Sequence, residues 1–253
     1  VVYIENDDDN KVFTIGFRTP SENSTGVQHI IEHSTLCGSE KYPAKDPFVE
    51  LAKGSLNTFL NAMTYPDKTV YPIASCNDVD FKNLMDIYMD AVFNPNIYKK
   101  EEIFKQEGWH YESDGEKFFL NGVVFNEMKG VYSSADDVLE SKIFQTMYNG
   151  NQYKYESGGD PEVIPSLTYE AFLDYHKRHY DPANSYIYLY GKMDIQERLD
   201  YLDREYLSKY SKENFNTDTS VTVQKPFEAP ITVKSVYAVD EGEDTENSSY
   251  LSC

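Results

Sequence analysis

Apolar positions along this chain follow two periods. Between Lys11 and Arg18 they alternate, placing Phe13, Ile15 and Phe17 on one face, the spacing of a strand buried on one side. From Asn77 the interval lengthens. Phe81, Leu84, Met85, Tyr88 and Val92 recur every three or four residues, which predicts an amphipathic helix opened by Asn77 and ended by Pro95. The same reading predicts a strand over 1–4, so that the chain begins inside a strand. Its expected antiparallel partner is 11–18, reached through a turn at Asp7-Asp8-Asp9-Asn10. Residues 42–47 read as loop, 59–63 and 68–74 as strands joined around Pro66-Asp67, and 99–107 as a helix. Asp114-Gly115, between 109–112 and 117–120, is a hairpin signal. Helices are expected around Glu127 and over 136–148, 168–180 and 194–206, with a strand over 185–190. Strand pairs mixed with helices, without strict βαβ alternation, predict an α+β layered domain in which a mostly antiparallel sheet packs against helices.

After about residue 207 the pattern weakens. Residues 208–220 are polar and read as a linker, whereas 221–223 and 231–239 resemble strands of something that continues; 241–246 is acidic. The organisation expected is one domain over 1–207, then a linker and the start of an incomplete following domain over 208–253. No internal repeat is visible.

Composition narrows the function classes. A chain of 253 residues can bury a good core, but a formal charge of −20 argues against a nucleic-acid surface, which needs clustered Lys and Arg. That charge would steer basic peptides, or simply solubilise the surface. Cys37, Cys76 and Cys253 form no C-x-x-C pair, as expected of a reducing compartment such as the cytoplasm. The first residue is not Met, which leaves room for an organellar signal ahead of it. No run approaches the roughly 18 apolar residues of a membrane span, and no membrane partner is expected.

The candidate chemistry lies at His29-Ile30-Ile31-Glu32-His33. Imidazoles at i and i+4 stand above one another on a helix and can reach one metal ion, while Glu32 can hold and deprotonate a water beside it. Thr25 and Gln28 suggest a capping box at the start of this helix, Val27, Ile30 and Ile31 its packing face, and Gly38 its stop. Read as H-x-x-E-H, the motif mirrors that of the H-E-x-x-H zinc peptidases and is the inverzincin signature. Core histidines beside a surface glutamate would be the bland explanation. Two imidazoles with an interposed carboxylate, among only five histidines, favour metal. Zinc hydrolysis normally takes three protein ligands and keeps one open position. Spacing does not select the third: Glu107 and Glu127 are both available, and Cys37 lies four residues beyond His33.

A wider set of motifs surrounds this one. Phe17-Arg18-Thr19-Pro20, the run from Ser24 through His33, Leu36-Cys37-Gly38-Ser39, Asp46-Pro47-Phe48 and the run from Ser55 through Ala62 come first. Gln106-Glu107-Gly108-Trp109, the run from Gly122 through Asn126-Glu127-Met128 to Gly130, and Ser157-Gly158-Gly159-Asp160-Pro161 come next, in that order. From the first residues to about Tyr206 the chain resembles the presequence-protease (falcilysin-like) branch of the pitrilysin/insulinase zinc metallopeptidases. The resemblance implies that His29, His33 and Glu127 bind zinc, that Glu32 is the general base, and that Cys37 is not a ligand. It also implies an edge strand over 57–64 beside the metal, where a peptide adds by main-chain hydrogen bonds and Asn61, with Ala62, contacts substrate. Family members have two related halves enclosing a peptide chamber, and the second half, beyond this chain, supplies an arginine and a tyrosine for the oxyanion.

The function expected is therefore a zinc-dependent endopeptidase acting on unstructured peptides. One rival is a peptide-binding, chamber-forming fragment that needs the missing second half for activity; another is a small-molecule zinc hydrolase, which would need a closed pocket. By itself the chain should be weak or inactive. Ser157 to Pro161 reads as a tight structural loop, and His176 and His179 as structural or surface histidines. The sequons at Asn23 and Asn247 carry no weight without signs of secretion.

Overall fold

The computed structural model describes residues 1–45, 47–239, 242, 245–246 and 248–252. Asp46 of the Asp-Pro-Phe motif, residues 241, 243 and 244 of the acidic run over 241–246, Asn247 of the second sequon and Cys253 lie outside the described residues. The chain starts with strands β1 (Val2–Ile4) and β2 (Lys11–Arg18), then helices α1 (Val27–Thr35) and α2 (Pro47–Gly54). Strands β3 (Asn57–Leu60), β4 (Met63–Thr64) and β5 (Lys68–Ser75) lead into helices α3 (Asp78–Phe93) and α4 (Glu101–Glu107). A hairpin of β6 (His110–Ser113) and β7 (Phe118–Asn121) precedes helices α5 (Val123–Val131), α6 (Ala135–Met147) and α7 (Tyr169–His179). Strand β8 (Ser185–Tyr190) and helix α8 (Ile195–Glu205) complete the order.

The main sheet runs β1-β8-β2-β5-β3, with β4 also paired to β5 beside β3. Every pairing in it is antiparallel except β1 with β8. Alternation works as expected: Phe13, Ile15, Phe17, Tyr71, Ile73, Ile187 and Leu189 are buried on one face, where α1 and α3 pack. The layered α+β expectation holds.

The predicted pairing of 1–4 with 11–18 does not. β8 inserts between them, and β1 joins the sheet by running parallel to β8. Residues 7–10 therefore cross the end of β8 instead of turning a hairpin: the Gly191 N–H donates to Ile4 O and the Lys192 N–H to Asp8 O. Ile187 and Leu189 bring two buried side chains to the position beside β2, whereas Val2 and Ile4 stay 45% and 54% exposed. The strand that removes more apolar surface from water takes the central place.

Several boundaries also move. The strand expected over 59–63 is two pieces, with a register shift between Asn57 and Phe59 and a break at Asn61-Ala62. Pro47, read as loop, opens α2; none of that helix's residues is fully buried, so it carries little periodicity. Asn77 caps α3 as expected, its side chain accepting from the Val79 and Asp80 N–H groups. Asp114-Gly115 turns the β6–β7 hairpin, with Asp114 Oδ1 accepting from Glu116 and Lys117. Residues 221–223 and 231–239 form no strand among the described residues. Val223 and Val236 are 91% and 88% exposed. Instead the side chains of Gln152 and Gln224 tie 220–224 to the loop after α6. No helix among the described residues is long and apolar enough to cross a membrane.

Candidate metal centre

Helix α1 buries Ile30 and Ile31 completely, and this orientation turns the His29–His33 face towards α5. Its start differs from the expected capping box. The N-cap is Gly26, with φ of 66° and no side-chain cap. Thr25 donates to Asn23 Oδ1, and Gln28 Nε2 donates to Ser21 Oγ. The helix end abuts the 157–161 loop so closely that a Cβ on Gly26 would lie 2.5 Å from Gly158 O; only glycine fits there and accepts the left-handed φ. The helix stops at Thr35 with Leu36 as C-cap, short of Gly38. Gly38 (φ 105°) instead allows close approach to Ala44 O.

That glycine contact continues into the site. His29 Nδ1 lies 2.9 Å from Gly158 O. A carbonyl only accepts, so Nδ1 carries the proton and Nε2 presents its lone pair. His33 Nδ1 faces Glu107 Oε2 at 3.4 Å, which likewise leaves Nε2 pointing away. Glu127, from α5, brings Oε2 to 3.8 Å from His29 Nε2 and 3.7 Å from His33 Nε2. These three donors lie within 4.8 Å of one another. Tetrahedral coordination at zinc-like bond lengths separates donors by about 3.3 Å, so the two Glu127–imidazole distances would have to close by about half an ångström around a divalent ion. The residues present fit such an ion.

Both carboxylates named as candidates are thus near the histidines, in different places. Glu127 reaches the two Nε2 atoms; Glu107 is behind His33, buried, and also accepts from Gln106 Nε2 and Cys37 Sγ. Cys37 therefore faces Glu107 and not the space between the histidines. Burial by itself would lower the His33 pKa, but the Glu107 hydrogen bond and the charges of Glu32, Glu107 and Glu127 carry it above the ordinary histidine value. Burial would raise Glu107, yet its bonds to His33 and Gln106 hold it below the usual carboxylate value.

Glu32 is 8% exposed and its Oε2 accepts from Thr64 Oγ1 at 2.7 Å. Thr64 belongs to β4, so the candidate base is held from the sheet edge. Asn61 and Ala62 sit at the β3–β4 break. Asn61 Oδ1 accepts the Ala62 N–H, its main-chain N–H pairs with Pro72 O, and its carbonyl accepts from Tyr88 OH. With Oδ1 so engaged, Nδ2 is the other polar atom of this exposed side chain. His176 and His179 are structural. His176 donates from Nε2 to Val92 O and accepts from Tyr98 OH, and His179 donates from Nδ1 to Tyr175 O.

Thr64 and the Gly158 carbonyl escaped sequence reasoning. The reading of 157–161 as a tight structural loop gives no sign of the histidine its carbonyl meets. For Thr64 no local pattern exists, because its contact depends on the pairing of β4 with β5.

Residues 12–160 match the family described as insulinase (peptidase family M16), and residues 166–253 match the peptidase M16 inactive domain. Protein HypA of Clostridium perfringens is 56% identical over 254 residues, covering 100% of this chain and 26% of its own length. Presequence protease 1 of Arabidopsis thaliana, chloroplastic/mitochondrial, is 47% identical, covering 99% and 23%. The mitochondrial presequence protease of Drosophila melanogaster is 44% identical, covering 83% and 20%. The chain thus spans between a fifth and about a quarter of the length of these curated relatives. The crystal structure of pitrilysin aligns with a TM-score of 0.58 at 18% identity, over 83% of this chain and 22% of that one, which shows a shared fold.

Proposed function

Because the chain belongs to the insulinase family of peptidases, M16, with presequence proteases among its close relatives, we propose that it carries the zinc-binding site of an endopeptidase that degrades unstructured peptides. One observation carries this reading: His29, His33 and Glu127 converge on one point with Glu32 interposed on the same helix. His29, His33 and Glu127 would hold zinc. When bound, zinc supplies Lewis acidity, lowering the pKa of water towards about 7 and polarising a carbonyl.

The chain's own residues do the rest. Gly158 O and Glu107 lock the two imidazoles with Nε2 forward, so no ring rotation is needed on binding. Glu32 takes a proton from the attacking water and returns it to the leaving amine. A peptide adds to the open edge of β3 and β4 as a further strand, and Asn61 Nδ2 with the Ala62 backbone contacts its main chain. Only an extended, unpaired backbone can add in this way, which selects unstructured peptides over folded proteins. The remaining polypeptide is the expected partner, and the zinc domain ends near residue 207, where the linker begins.

Elemental analysis of protein purified without chelator tests the site. Close to one zinc per chain is expected, with most of it lost in His33→Ala. Glu32→Gln should keep its zinc while peptide turnover collapses by about 10²-fold or more, since shape is preserved and the basic carboxylate is not. Full zinc retention in both His33→Ala and Glu127→Ala would remove the assignment.

A further inference from the structure

Thr64 makes two connections at once. Its side chain donates to Glu32 Oε2 at 2.7 Å, and no other hydrogen bond reaches that carboxylate among the described residues. Its backbone is set by the β4–β5 register, in which Met63 faces Val70 and Thr64 faces Thr69. The Tyr65 N–H donates to Lys68 O, and two residues before Met63 the Asn61 N–H donates to Pro72 O. Residues 61, 63 and 65 are therefore the hydrogen-bonded positions of an antiparallel ladder, and 64 falls between them. At such a position N–H and C=O point away from the partner strand. For Thr64 that direction is the open edge, since β4 pairs with β5 alone.

We propose that Thr64 is a positioning residue that couples peptide docking to the orientation of the general base. This rests on the reading of Glu32 as base and of the β3–β4 edge as the peptide site. A substrate strand adding to β4 takes its hydrogen bonds from the Thr64 main chain and so fixes φ and ψ there. Fixing the backbone fixes the direction of Cβ, and a β-branched side chain has few χ1 choices from that point. The hydroxyl is then held against Glu32 Oε2, and Oε1 is left to the water. An unfilled edge leaves the strand, and with it the carboxylate, freer to move. The base is thereby best aligned when a peptide is in place.

The hydroxyl is the part that can be removed without touching the ladder. Thr64→Val keeps the branched shape and the backbone but not the donor; Thr64→Ser keeps the donor. In the full-length protein, Thr64→Val should lower kcat about 10- to 100-fold, the scale of a slightly misplaced catalytic group, with KM and zinc content near parental values. Thr64→Ser should recover most of the loss. In the Glu32→Gln background, adding Thr64→Val should lower the residual rate no further, because there is no basic carboxylate left to position. Parental kcat in Thr64→Val, a Thr64→Ser variant as slow as Thr64→Val, or a further equal loss in the double variant would each overturn the proposal while leaving Glu32 as base. Were Glu32→Gln itself to turn over at the parental rate, the base assignment and this coupling would fall together.

Discussion

At the scale of single residues, Glu107 and Glu127 show how two carboxylates near one histidine pair divide the work. Glu127 lies between the Nε2 atoms and is half-exposed, whereas Glu107 is buried behind His33 and meets that imidazole at Nδ1. Nothing in their local spacing distinguished them; the family resemblance did, and the geometry is consistent with it. The Glu107 contact orients His33 and raises its basicity, so Glu107→Gln should weaken zinc binding by about 10- to 100-fold without abolishing it. Competition with a chromophoric chelator measures this. An unchanged affinity would mean that packing alone holds the His33 ring.

Among the elements, α7 illustrates a helix fastened by a histidine that chemistry does not use. His176 ties α7 to the end of α3 through Val92 O and to the turn after α3 through Tyr98 OH. Burial pushes its pKa down to about 4, from an ordinary value of 6.5. The folded state thus binds the proton less well than the unfolded chain, and the stability this confers is fully present above pH 6.5. It is lost as the pH falls from 6.5 towards 4. Melting temperature against pH should therefore decline over that interval, and His176→Gln, which does not titrate, should show a shallower decline from a lower starting point. Equal slopes would assign the acid sensitivity to other groups. The element boundaries themselves were largely legible. α3 follows its 3.6-residue period and Asn77 cap closely, but α2 buries no residue completely and so leaves no such trace.

For the whole molecule, the decisive feature is openness. Glu127 is 49% exposed at its side chain and His33 26%, and the β4 edge beside them is unpaired among the described residues. The site as it stands has a floor and one wall. Under the proposed reading, a peptide added to this edge would be held by its backbone along one strand, with little to restrain the scissile carbonyl. The chain spans only a fifth to a quarter of its relatives' length, and the relatives' remaining sequence is the natural source of a second wall. At matched zinc loading this chain alone should cleave an unstructured basic peptide about 10²- to 10³-fold more slowly than the full-length protein, the cost typical of missing oxyanion donors and looser positioning. Equal turnover would mean that residues 1–253 contain a complete active site. The formal charge of −20 makes the choice of a basic peptide physical, since a field of that sign raises the encounter rate at low salt.

The amino-acid sequence alone determined the periods, and through them most helices and strands, the α+β class and the presence of His29, Glu32 and His33 on one helix. These arise from local geometry, because residues three or four apart on a helix and two apart on a strand share a face whatever the rest of the chain does. It did not determine which strand lies beside β2, why α1 begins at an uncapped glycine, which carboxylate stands between the imidazoles, or that Thr64 holds Glu32. Each of these depends on a competition between segments distant in the chain. β8 displaces β1 by burying more apolar surface, and the 157–161 loop occupies the position where a capping side chain would sit. The β4–β5 register, once closed, swings a threonine hydroxyl onto the Glu32 carboxylate 32 residues away. Contacts of that kind have no signature in a window of neighbouring residues; they exist only when the chain has chosen its neighbours in space.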